Sequence, residues 1–173
     1  MYQGKLVRLR AFERSDVETH WAFMNDYDTV RSMSSGMLYP TSREDEARYL
    51  EQQSGYTRGE YQFAMETLSG QLIGRCGFTR LDWKNRVAEI GIMIGEAEFR
   101  GKGYGSDAMR LLIRIAFEEL NLHKLKLSVF AFNLQALGCY EKCGFIREGL
   151  LKEELYREGR YHDVVVLGLC AEG

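Results

Sequence analysis

Arg100-Gly101-Lys102-Gly103-Tyr104-Gly105 separates two segments of opposite periodicity. Before it, Ala88-Glu89-Ile90-Gly91-Ile92-Met93-Ile94 alternates with period two, Ala88, Ile90, Ile92 and Ile94 on one face and Glu89, Gly91 and Met93 on the other. After it, Met109, Leu112, Ile113, Ala116, Phe117 and Leu120 recur at helical spacing. Glycines at 101, 103 and 105 let backbone N–H groups converge at the positive end of a helix dipole, an arrangement suited to a phosphate or pyrophosphate. A P-loop is excluded, because Lys102 is followed by Gly103 and the first glycine position of that motif holds Glu96. The dinucleotide fingerprint is excluded by the spacing G-x-G-x-G and by the strands that come before it.

Outward from this stretch, the order of elements reads β α α β β β α β α β β. Lys5 to Phe12 alternates as a first strand, and capping-box patterns at Ser15–Glu18 and Thr41–Glu44 open two helices, the second expected to stop at Gly55. Tyr61 to Glu66, Leu72 to Arg80 and Arg86 to Gly95 form an antiparallel meander. The helix after Gly105 leads to a strand over His123 to Phe132. A helix over Asn133 to Cys143 follows, with Gly144 as its stop. A hairpin of Ile146 to Tyr156 and Tyr161 to Cys170, turning at Arg157-Glu158-Gly159-Arg160, ends the chain. The strand–helix–strand segment in the middle makes the sheet mixed.

Three of these segments together carry a resemblance. Arg100 to Gly105 matches the Arg/Gln-x-x-Gly-x-Gly/Ala acyl-CoA loop of the GNAT N-acetyltransferases, and Ala88 to Ile94 is similar to that family's fourth strand. Asn133, Ala136, Tyr140, Gly144 and Phe145 resemble its N-x-x-A-x-x-x-Y-x-x-x-G-F signature. The resemblance implies an α+β (α/β) GNAT fold, with a mixed, mostly antiparallel seven-stranded sheet flanked by four helices. It covers one acetyltransferase domain over residues 1–173. It also implies transfer of an acetyl group from acetyl-CoA to a primary amine, by direct attack in a ternary complex.

Site residues follow from the same resemblance. Backbone groups of Ile92, Met93 and Ile94 would pair with the pantetheine arm as an added strand, the N–H near Met93 serving as oxyanion donor. Amides of Gly101, Lys102, Gly103, Tyr104 and Gly105 would take the pyrophosphate, with Arg100 and Lys102 as charge partners. Asn133 would bond the pantetheine or cap its helix, and Ala136 belongs to the same motif. Tyr140 matches the family's general acid, and Glu89 would accept the amine's proton or anchor an ammonium group. Leu6 to Arg10 and Gly149 to Leu167 resemble the RimJ/RimL-like branch, which includes enzymes for protein N-termini, antibiotics and polyamines. The polyamine enzymes carry acidic residues just before the second helix. Ser34 to Pro40 has none there, which speaks against a polyamine acceptor.

Composition bounds the remaining possibilities. The chain has 173 residues, 45% of them hydrophobic and 28% charged, as expected of one folded domain with a sizeable core. The net charge of −2 gives no electrostatic case for nucleic acid or an anionic membrane. Residues 13–60 hold ten acids against five bases, suiting either solvated helix faces or a cationic ligand. No apolar run approaches a membrane span, and the first residues lack the apolar core of a secretory signal. Cys76, Cys139, Cys143 and Cys170 lack metal-site spacing, so we expect no metal and a reduced, cytoplasmic compartment. The partners expected are therefore acetyl-CoA and an amine acceptor, with a homodimer compatible with the family. An acyl-CoA-binding regulatory module without turnover is the alternative.

Overall fold

The computed structural model describes residues 2–53 and 60–171. Its framework is a mixed sheet of eight strands in the order β1-β2-β3-β4-β5-β6-β8-β7. The strands are β1 (Tyr2–Gln3), β2 (Val7–Arg10), β3 (Tyr61–Thr67), β4 (Leu72–Asp82), β5 (Val87–Ile94), β6 (Lys124–Phe130), β7 (Ile146–Arg157) and β8 (Arg160–Cys170). The helices are α1 (Val17–Met24), α2 (Tyr27–Arg31), α3 (Arg43–Gln53), α4 (Tyr104–Arg114) and α5 (Leu134–Lys142). The eighth strand, β1, is a two-residue pairing of Tyr2 and Gln3 against Leu9 and Arg8, too short to leave a periodic signal. The helix α2 spans 5 residues and is likewise absent from the sequence reading. Among the described strands only β5 and β6 run parallel, because α4 crosses over between them.

The two faces of the sheet are covered by different helices. Ala88 and Ile90 of β5 face the larger core, which includes Met109 and Leu112 of α4 and Leu137 of α5. Met93 faces the smaller core with Phe12, Phe23 of α1 and Leu50 of α3, as its opposite parity requires. Two helix starts shift by a residue or two from their sequence signals. The amide of Glu13 donates to Asp16 at 2.8 Å, so the first cap precedes Ser15. The amide of Asp45 donates to the Ser42 hydroxyl at 3.1 Å, which makes Ser42 rather than Thr41 the second cap. The stop expected at Gly55 lies outside the described residues. The long helix expected through Leu120 is α-helical to Arg114 and continues as a π-helical turn over Ile115–Glu119. Glu158 and Gly159, with φ of 52° and 79°, give the final hairpin the two left-handed residues that its tight turn needs.

Candidate active site

Pairing between β5 and β6 ends at Glu89 opposite Lys126. Beyond that point β5 stays paired with β4 as far as Ile94, while β6 stays paired with β8 as far as Phe130. The two strands therefore diverge and leave a gap in the sheet. Ile90 to Ile94 line one wall of the resulting cleft, and Ser128, Val129 and Phe130 line the other. The cleft has a volume of about 820 Å³, within the usual range for cofactor sites. Along its β5 edge an extended ligand can complete the backbone pairing that β6 abandons.

The glycine loop closes one end. Gly101 and Gly103 have φ of 73° and 92°, so both are in the left-handed region that a side chain disfavours. Gly103 is the N-terminal cap of α4, and the first amides of that helix have no partners within it. Gly101, Gly103, Gly105 and Ser106 line the cleft. Asp107 fixes this helix end to the start of β2, accepting hydrogen bonds from the amides of Leu6 (2.7 Å) and Val7 (3.1 Å).

The structure brings most of the sequence-selected residues together and redistributes the rest. Ile92, Met93, Ile94, Arg100, Gly101, Gly103, Gly105, Asn133, Ala136 and Tyr140 all line the cleft. The Asn133 side chain caps α5, its Oδ1 accepting from the Ala136 amide at 3.1 Å. Tyr140 is 6% exposed, and its ring packs edge-on against Phe145. Burial pushes its phenol well above the usual tyrosine range, so the hydroxyl stays protonated at neutral pH.

Four residues depart from their expected places. The Arg100 guanidinium donates to the carbonyls of Ile94 (3.0 Å) and Gly95 (2.9 Å) and to the Thr29 hydroxyl (2.6 Å). It ties the end of β5 to α2 instead of standing free as a partner for pyrophosphate. Tyr104 packs edge-on against Phe99 and Lys102 is exposed, and neither side chain lines the cleft. Glu89 also lies outside the lining, at the root of the gap, paired with Lys126 at 3.3 Å and Arg80 at 3.5 Å.

The GNAT resemblance implies an acceptor pocket built from the first two helices, the loop Thr29 to Thr41 between them and the final hairpin, although it singles out no side chain there. Asp28, Thr29, Arg31, Ser32, Met33 and Ser35 close the cleft from α2 and the turn that follows. No motif marks them, because α2 reaches the cleft only through tertiary packing. The β7–β8 turn holds this region in place. Arg31 and Tyr27 donate to the Glu158 carboxylate at 3.0 and 3.2 Å, and Arg157 donates to the carbonyls of Ser34 and Gly36 at 2.6 and 3.2 Å. Among the described residues, no helix is long and apolar enough to cross a membrane.

Comparisons with known proteins agree with this geometry. The Acetyltransferase (GNAT) domain family matches residues 7–146. A spermidine N(1)-acetyltransferase of Vibrio cholerae is 34% identical over 159 residues, covering 91% of this chain and 89% of its own. A putative ribosomal N-acetyltransferase of Bacillus subtilis is 40% identical over 100 residues, which is 58% of this chain and 54% of that protein. The crystal structure of the V. cholerae spermidine N-acetyltransferase with CoA and spermine superposes with a TM-score of 0.84 at 31% identity, covering 95% of each chain. The chain belongs to the GNAT family, as an N-acetyltransferase that uses acetyl-CoA as co-substrate.

Proposed function

We propose that this enzyme acetylates a primary amine of a small, multiply charged cation of the polyamine kind, by direct attack on acetyl-CoA within a ternary complex. The observation that carries the acceptor class is Asp28. Among the described residues lining the cleft it is the one carboxylate, and it belongs to α2, on the acceptor side of the site. Glu158, the other acid nearby, is held by Arg31 and Tyr27. The missing carboxylates of Ser34 to Pro40 are thus offset by one on α2. The V. cholerae relatives, named for spermidine and crystallised with spermine, support the same class. Polyamine enzymes also fall within the RimJ/RimL-like branch that both ends of the chain resemble.

Each step of the transfer falls to a named group. Pantetheine would lie along Ile92 to Ile94, with the Asn133 side-chain amide as a further donor and the α4 amides on the pyrophosphate. The amine attacks the thioester carbonyl, whose oxygen gains charge beside the β5 backbone near Met93. The C–S bond then breaks, and the Tyr140 hydroxyl donates to the departing sulfur. Burial keeps the phenol protonated, so its proton is available when the sulfur departs.

Two substitutions test the acceptor side. Asp28→Asn should raise the KM for spermidine roughly tenfold, as loss of a charged hydrogen bond implies, and leave the Kd for CoA unchanged. An unaltered spermidine KM would remove Asp28 from recognition. The pairing of Glu89 with Lys126 and Arg80 favours a cross-strand anchor, with the amine's proton passing to water. Glu89→Gln should change kcat by less than about threefold, with no change in the shape of the pH profile. A loss that deepens at low pH, where the amine is protonated, would instead make Glu89 the base, acting through water.

A further inference from the structure

The four cysteines do not share one environment, and one of them opens into the cofactor cleft. Cys139, on α5, lines it. Its Sγ lies 3.4 Å from the Ser106 hydroxyl in the first turn of α4. A Cβ built on Gly105 would meet the same sulfur at 3.5 Å, so the thiol packs directly against the glycine loop. Cys143 follows one helical turn later on the same stripe, and its Sγ is 3.7 Å from the Ser106 carbonyl. Two thiols therefore converge on one residue beside the loop proposed to hold pyrophosphate. Cys76 is 1% exposed in the core, and Cys170 is exposed at the end of β8.

We propose that Cys139 is a thiol–disulfide exchange site within the cofactor cleft, taking one half of a low-molecular-weight disulfide and thereby closing the cleft to acetyl-CoA. The Cys139 sulfur, as thiolate, attacks one sulfur of the small disulfide. The new S–S bond forms as the old one breaks, and the other half leaves as a thiolate that takes a proton from water. Cys139 is oxidised and the departing half is reduced, so no other oxidant is needed. The surroundings favour the reactive form. The neighbouring Cys143 thiol outweighs burial and, with Ser106 and the charges of Arg110 on α4 and Lys142 on α5, holds the Cys139 thiol below the usual range. Cys143, paired with Cys139 and partly buried, is held above that range. In Cys76, burial pushes the thiol up and leaves it inert. A disulfide-bound group on Cys139 projects into the space where the cofactor must lie. The proposal needs the cofactor cleft alone and is independent of which amine is acetylated.

The experiment treats the whole chain with dithiobis(nitrobenzoate), an aromatic disulfide, and locates the adducts by peptide mass spectrometry over time. Cys139 should be modified at least about tenfold faster than the exposed Cys170. Saturating desulfo-coenzyme A, which has no thiol, should slow Cys139 at least about tenfold and leave Cys170 unaffected. Acetyl transfer should fall in step with Cys139 modification and return with dithiothreitol. Cys139→Ser should keep its own untreated activity through the same treatment. Modification of Cys170 ahead of Cys139, or indifference of Cys139 to desulfo-coenzyme A, would overturn the proposal. Both readouts use the unsubstituted chain, so they decide the matter even if the variant folds poorly.

Discussion

Tyr140→Phe should lower kcat by roughly 100-fold while the Kd for CoA stays within about twofold of the parent enzyme. The substitution removes one hydroxyl and keeps the ring that packs against Phe145 in the core. The cost should therefore fall on leaving-group departure and spare folding and cofactor binding. The thiolate must then leave with no proton donor from the protein and take its proton from water. Because burial places the phenol above the usual tyrosine range, the parent enzyme should show no loss of kcat near pH 8 that the variant abolishes. Steady-state kinetics with spermidine, combined with single-turnover measurements to show that chemistry limits the rate, provide the check. Full turnover in the variant under those conditions would take the acid role from Tyr140.

Gly103→Val should weaken CoA binding by more than about 100-fold. Gly103 sits at φ 92°, where a β-branched residue is strained by about 1–3 kcal/mol. Space is not the obstacle, since a Cβ at Gly103 would meet only the flexible end of Leu6, at 3.4 Å. The backbone would relieve the strain by leaving the left-handed region, which turns the first amides of α4 away from their common point. The sheet and α4 core lie elsewhere, so the variant should fold with a modest loss of Tm. Calorimetric titration with CoA beside a thermal melt separates the two effects. Near-parental affinity in the folded variant would reduce the loop to an entry turn for the helix.

What the sequence disclosed followed the range of each signal. Gly101, Gly103 and Gly105 announced the loop, because closely spaced glycines between a strand and a helix suit either an anion-binding nest or a tight entry turn, and the flanking motifs favoured the nest. Asn133 and Tyr140, seven residues apart on one helix, fall together on the cleft because helical geometry is local. Period-two alternation correctly set Glu89 and Met93 on one face of β5 and Ile90 and Ile92 on the other. It could not disclose that Lys126 and Arg80, from the neighbouring strands, would claim the Glu89 carboxylate. Arg100 was misread for a similar reason. Its charge suggested a phosphate partner, whereas the carbonyls of Ile94 and Gly95 and the Thr29 hydroxyl are what its guanidinium reaches. Asp28 was legible only as one of the ten acids of residues 13–60, since a five-residue helix leaves little periodicity and its place at the cleft depends on contacts distant in the chain.

Acetylation of a polyamine through Tyr140 is tested by combining acetyl-CoA with a panel of spermidine, aminoglycosides and N-terminal peptides while following CoA release and product mass. Saturable release with spermidine, a product heavier by one acetyl group, and loss of that turnover in Tyr140→Phe are expected. CoA binding without release for any amine, or release with N-terminal peptides alone, would contradict that chemistry.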